Sequence, residues 1–142
     1  MTNKWVSFFI ADERYCCSVS RIREILPYTE ANPFPGADKN TEGILSIRGK
    51  VLTILDGFEI FRPKNNYKKN NIIIVEDESA NQLGITVERV DQIIEFDSEQ
   101  IEPTENQSEQ LILGTVNTQG QLVIVVDFTN LIAEQQGLVK TN

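Results

Sequence analysis

The chain has 142 residues, 40% of them apolar, enough to bury the core of one domain. Thirteen basic residues stand against 21 acidic ones, a net charge of −8, which disfavours a general binder of nucleic acid or anionic membrane. There is no histidine, so the Ser-His-Asp and Cys-His nucleophile pairs and the commonest metal ligand are excluded together.

Strand signals dominate from the start. Val6, Phe8 and Ile10 alternate with Trp5, Ser7, Phe9 and Ala11, a run predicted to be buried on both faces. Asp12-Glu13-Arg14 reads as a turn, and residues 15–19 as the returning strand of a hairpin. That strand holds the only two cysteines, Cys16 and Cys17. Neighbours on a strand point to opposite faces, so no bridge is expected between them. Ser20 is placed to cap a helical turn over 21–25, with Ile22, Ile25 and Leu26 as its apolar stripe and Pro27 as its stop. Asn32-Pro33-Phe34-Pro35-Gly36 is a loop by composition.

Two apolar runs, 43–47 and 51–55, flank Arg48-Gly49-Lys50, and Gly49 supplies the positive φ of a tight hairpin. Asp56 can cap a short helix ended by Pro63. The stretch 62–71, with Arg62, Lys64, Asn65, Asn66, Tyr67, Lys68 and Lys69, reads as a solvated linker. Residues 72–75 are a continuous β-branched run, and Glu78 to Gln82 form a polar turn. Leu83, Ile85 and Val87 alternate with Gly84, Thr86 and Glu88, and another strand is predicted over 90–96. Residues 97–109 are acidic, contain Pro103 and read as an ordered loop. The sequon Asn106-Gln107-Ser108 carries no weight without a secretion signal. A last hairpin, 111–117 with 121–126, turns at Gln119-Gly120, and Asp127 caps a terminal helix through about Gln136, ended by Gly137. Nine or ten short strands joined by tight turns favour small antiparallel barrels, and no exact internal repeat is visible.

Charge is unevenly distributed. Residues 1–70 carry 11 basic and 8 acidic side chains, and residues 71–142 carry 2 and 13, a split that suggests two lobes of opposite potential or one acidic face. No apolar stretch reaches the roughly 18–20 residues of a membrane span, and Met1-Thr2-Asn3-Lys4-Trp5 is not a secretion signal. A soluble intracellular protein with no cofactor, metal or membrane insertion is expected.

Three constellations invite a chemical reading. Asp56 and Glu59, three apart on a helix, could serve a hydrolase, but a cap and a solvated face account for them. Glu76-Asp77-Glu78 could hold a cation, but an acidic turn is simpler. Arg62, Lys64, Tyr67, Lys68 and Lys69 could form a nucleic-acid patch on a small barrel, against the net charge. Arg48 is more informative, because it interrupts two apolar strands and must reach either water or a specific partner. Glu24, flanked by Ile22, Arg23, Ile25 and Leu26, poses the same question.

The run from Gly43 to Asp56, Gly-Ile-Leu-Ser-Ile-Arg-Gly-Lys-Val-Leu-Thr-Ile-Leu-Asp, resembles the signature of CheW-like coupling domains, a glycine-led strand, an Arg-Gly turn and a strand ending in aspartate. Four more segments fall in that family's order: the opening hairpin from Phe8 to Tyr15, the segment with Glu24, the strand Leu83-Gly84-Ile85-Thr86-Val87-Glu88-Arg89-Val90, and the closing hairpin with Asp127. The resemblance spans about residues 5–133. Ser46, Thr53, Gly57 and Glu88 depart from the usual asparagine, proline, leucine and aspartate.

The resemblance implies a mainly β fold, one domain of two interlocked five-stranded SH3-like antiparallel barrels sharing a groove, with short helices, a C-terminal helix and a linker near 62–71. The short chain points to the stand-alone coupling protein. The implied role is a non-enzymatic, cytoplasmic adaptor in bacterial chemotaxis. It would join the cytoplasmic tip of chemoreceptors to the regulatory domain of a CheA-type histidine kinase, itself CheW-like, with no nucleic acid involved. A type IV pilus or other chemosensory pathway is the variant. Carried onto this chain, the receptor groove would be lined by Leu83, Ile85 and Val87 with Val90 and Ile93 beside it. Arg48 would sit near it as a charged anchor or as the residue that fixes the turn, and Ile22, Glu24 and Ile25 would contact kinase or receptor.

Overall fold

The computed structural model describes residues 3–63, 67–104 and 111–135. The hairpin β1 (Asn3–Ile10) and β2 (Glu13–Ser18) is followed by a 3-10 turn, Val19–Arg21, and by β3 (Ile22–Pro27). Next come β4 (Thr41–Ile47), β5 (Lys50–Asp56) and α1 (Gly57–Phe61). After the linker, β6 (Asn71–Glu76), β7 (Gln82–Val87) and β8 (Arg89–Phe96) lead into a second 3-10 turn, Ser98–Gln100. The described chain closes with β9 (Ile112–Thr118), β10 (Gln121–Val126) and α2 (Thr129–Gln135). Lys64, Asn65 and Asn66 of the linker, the sequon, and the expected helix end at Gln136 and Gly137 lie outside the described residues.

Three hairpins turn on two residues with positive φ, namely Ala11-Asp12, Arg48-Gly49 and Gln119-Gly120. Two consecutive positive φ values give the type I′ twist that matches paired strands. The first turn therefore comes earlier than Asp12-Glu13-Arg14, and Glu13 already pairs with Ile10. The helical turn expected over 21–25 is a strand instead. Ile22, Glu24 and Leu26 are half-buried while Arg23, Ile25 and Pro27 are exposed, a period of two that a register shift between Ile22 and Glu24 disguises.

Ten strands form two sheets, β3-β6-β7-β5-β4 and β8-β1-β2-β10-β9. The first, the contiguous lobe, uses consecutive chain; the second, the split lobe, is assembled from both ends of it. Each sheet has three antiparallel junctions and one parallel one, β5 with β7 and β2 with β10, so neither is purely antiparallel as expected. In each, the loop after the first edge strand bridges to the opposite edge, Asn32 to Ile44 and Glu102 to Thr115. Gly43 and Gly114, both at φ +152, make this possible. A Cβ at either would run into the backbone carbonyl of Asn32 or Glu102.

The order β1-β2-β3-β4-β5-α1 is repeated as β6-β7-β8-β9-β10-α2, with the two leading hairpins exchanged. Hairpin β1-β2 completes the sheet of the second half, and β6-β7 that of the first. The strand registers pair Gly43 with Gly114, Gly49 with Gly120, and Asp56 with Asp127. An architectural repeat is thus present where the sequence shows none. The linker runs within the contiguous lobe, from α1 to β6, so the acidic and basic halves of the chain are not the two lobes.

Alternation explains the burial. Phe8, Ile10, Tyr15, Cys17, Ile73, Val75, Leu83, Ile85 and Val87 build a core shared between the sheets. The opposite strand faces fill two smaller cores. Trp5, Cys16, Ile94 and Val125 belong to the split lobe, and Leu52, Ile54, Ile72 and Ile74 to the contiguous one. Cys16 and Cys17 are free and buried in different cores. Burial pushes the Cys16 thiol up to about 12 and raises that of Cys17.

Candidate functional site

Glu24 and Arg48 meet. Strand β3 carries Glu24 along one edge of the contiguous lobe, and the β4–β5 turn brings Arg48 over it, although β3 and β4 lie at opposite ends of the sheet order. Arg48 Nη2 and Nε donate to the two carboxylate oxygens at 2.5 and 3.2 Å. This is the two-pronged geometry that only a guanidinium supplies. The hydrogen bond from Arg48 holds the Glu24 carboxyl below the usual carboxylate range and raises Arg48 in turn. Arg48 is 77% exposed and Glu24 19%, so the guanidinium faces outward, held from beneath. The pair sits beside a cavity of about 320 Å³ shared with Arg23, Ile47 and Gln82 and floored by Leu52 and Ile74.

The expected apolar residues divide. Leu83, Ile85 and Val87 have no exposed surface. Strand β7 is covered by the other sheet on one face, so these side chains belong to the shared core and cannot line a groove. Ile22 and Val90 are half-buried against the shared core, while Ile25 and Ile93 are 40% and 60% exposed. Their registers against β6 and β1 make Ile22 the counterpart of Val90 and Ile25 that of Ile93. Two further outward side chains escaped the sequence reading, Val51 at 67% and Leu122 at 60% exposure. They too are counterparts, each two residues past its turn glycine. The signal was available, because inward Leu52 and Val123 force their neighbours outward.

The chemical readings dissolve into structure. Asp56 Oδ1 accepts from the N–H groups of Phe58 and Glu59, and its Oδ2 accepts from Lys69 at 3.0 Å. Lys69 also reaches Glu42 at 2.8 Å, and Glu42 accepts from Tyr28 and Thr86 as well. Burial works against the Lys69 ammonium, but its bonds to Glu42 and Asp56 outweigh that and raise its pKa. Of the basic patch, Arg62 bonds Glu13 and Tyr67 bonds Asp12, so these two side chains are tied to the first hairpin. Glu76, Asp77 and Glu78 are engaged by Gln82, Asn81 and Arg21 respectively. Among the described residues no cluster of histidine, cysteine or acid is placed to hold a metal ion, and no helix is long and apolar enough to cross a membrane.

Gly57, where leucine is usual, starts α1 against β7. Its N–H donates to Thr86 Oγ1, and a Cβ would run into the Thr86 carbonyl oxygen. The departure is a close approach of backbones rather than a lost side chain.

Known proteins share this design. A structure of the scaffolding protein TtCheW from Thermoanaerobacter tengcongensis superposes with a TM-score of 0.80 at 26% identity, covering 89% of this chain and 90% of that one. The chemotaxis protein CheW of Rhizobium meliloti is 24% identical over 140 residues, covering 92% of this chain and 88% of its own. That of Thermotoga maritima is 25% identical over 132 residues, covering 91% and 87%. The family model of the CheW-like domain matches residues 4–136. With two exchanged five-stranded sheets and an Arg-Gly turn locked to a strand glutamate, the chain belongs to the CheW-like family of chemotaxis scaffolds.

Proposed function

We propose that this chain is a non-catalytic adaptor that couples the cytoplasmic tips of bacterial chemoreceptors to the regulatory domain of a CheA-type histidine kinase. The observation that carries the reading is the Glu24–Arg48 pair, an exposed guanidinium aimed by a half-hidden carboxylate beside an open cavity. A side chain held this way loses less freedom when a partner takes it, so it recognises at lower entropic cost than a free arginine. Outward apolar residues at matching positions of the two lobes, Ile25 and Val51 in one and Ile93 and Leu122 in the other, suit a kinase domain that is itself CheW-like. Such a domain can present an equivalent face to either lobe. The half-buried Ile22 and Val90, where β3 and β8 leave the shared core, are the receptor-side candidates. Association with membrane arrays then runs through partners.

A pull-down of the purified chain against the kinase regulatory domain and a receptor-tip fragment from the same genome tests this, with Arg48→Ala and Glu24→Ala alongside. Binding to both partners, with Arg48→Ala weakening one more than the other, is expected. Binding to neither at tens of micromolar contradicts the role.

A further inference from the structure

The exchanged repeat exposes a difference that the coupling role does not use. In the contiguous lobe, the ammonium of Lys69 fills the space between Asp56, Glu42 and Thr86 at the start of α1. Strand register places Asp127, Leu113 and Ser18 at the same three positions of the split lobe. There the structure has a cavity of about 120 Å³, somewhat smaller than the roughly 150 Å³ apolar cavity that holds benzene. Its walls are Trp5, Cys17, Leu113, Val126 and Phe128, and Asp127 lies at its edge. Asp127 Oδ1 accepts from the N–H and hydroxyl of Thr129 at 2.9 and 2.6 Å. Its Oδ2, the counterpart of the oxygen that binds Lys69, has no partner among the described residues. The other charged group on the rim, Arg21, is committed to Glu78 at 3.1 Å.

We propose that this cavity is a socket for a lysine side chain presented by a protein partner, the stem lying against Trp5, Leu113 and Phe128 and the ammonium reaching Asp127 Oδ2. An aliphatic stem suits an apolar wall, and a charge at its end needs a carboxylate to leave water. In the contiguous lobe the corresponding aspartate already holds a lysine ammonium, Lys69 on Asp56 at 3.0 Å. Leu113 in place of Glu42 leaves a single carboxylate, so the socket is weaker than its model and suits reversible capture.

The test uses the whole ¹⁵N-labelled chain and follows the indole N–H of Trp5, the single tryptophan, which donates to the Phe96 carbonyl at 3.2 Å. The probes are Nα-acetyl-lysine methylamide and its norleucine analogue, which keeps the stem without the charge. A saturable shift is expected for lysine, with binding about tenfold weaker for norleucine and for Asp127→Asn, the loss a charge-assisted hydrogen bond represents. Asp127→Asn retains the oxygen that caps α2. Leu113→Glu, at a partly exposed position, restores the second carboxylate and is expected to tighten lysine binding about tenfold. No shift in the wild-type chain, equal shifts with lysine and norleucine, or indifference to Leu113→Glu would overturn the proposal.

Discussion

At corresponding positions the contiguous lobe carries Glu24, Glu42, Arg48 and Gly57, and the split lobe carries Gln92, Leu113, Gln119 and Phe128. The residues that impose backbone geometry are the same in both: a glycine where the closing loop crosses, a glycine in the hairpin turn, and an aspartate at the helix start. Outward apolar positions such as Ile25 and Ile93 match, but the polar and charged side chains around them differ. One lobe is cross-strapped by ions, with Arg48 on Glu24 and Lys69 on Glu42 and Asp56. The other carries its own ionic network elsewhere, around nearly buried Arg14, which bonds Asp91 and Gln121 beside Phe9. One connectivity therefore supports two surfaces of different chemistry, as an adaptor between unlike partners needs.

The largest expected effect concerns the exchange of hairpins. A chain interrupted within residues 64–66 yields two pieces, each supplying two strands to the sheet of the other. Each alone is expected to lack cooperative unfolding by circular dichroism, and a mixture to regain it. Independent folding of either piece would mean that the exchange is not needed for stability.

Gly57→Ala comes next, because the clash is with backbone and something must shift. A loss of about 3 kcal/mol or more is expected in urea unfolding. Phe128→Ala, at the matching position, empties a buried site and should cost about 3–5 kcal/mol through a different mechanism. A neutral Gly57→Ala would show that α1 can move away from β7.

Lys69→Met strands Glu42 and Asp56 and should cost about 1–3 kcal/mol near neutral pH. The Lys69 pKa is raised in the folded chain, so its contribution is complete below the ordinary lysine value of roughly 10.4 and is lost as pH rises through the folded value. The gap between wild type and variant should therefore close only in strongly alkaline solution. A gap that closes at neutral pH would contradict the ion pairing.

The smallest effect is at the thiols. With Cys16 pushed up to about 12 and Cys17 also raised, a thiol reagent at about pH 8 meets almost no thiolate. Labelling is expected to follow unfolding, with both cysteines reacting together. Fast labelling of one would place it outside its core.

Much of this was legible in advance, for physical reasons. Hairpins announce themselves through alternation and turn residues, and all three tight turns fall within a residue or two of Asp12, Gly49 and Gly120. The β-branched run at Ile72 reads as a strand without alternation, and the structure gives the reason, since its two faces enter two different cores. The strand at Ile22 was misread because Ile22, Ile25 and Leu26 also fit a helical stripe, and Ile25 is turned to solvent. For Leu83, Ile85 and Val87, alternation shows that three side chains share a face but not whether it meets water or a second sheet. The exchange itself has no local signature, since a hairpin pairs by the same pattern in either sheet. The ion pair of Glu24 and Arg48 joins residues 24 apart, and only the folded lobe brings them together.

The most direct measurement of the coupling role is a titration of ¹⁵N-labelled chain with the kinase regulatory domain and, separately, with a receptor-tip fragment. The account predicts saturable shifts from the kinase domain around Ile25, Arg48 and Val51 or around Ile93 and Leu122, and from the receptor around Ile22 and Val90. Both lobes remaining unperturbed by both partners would contradict it.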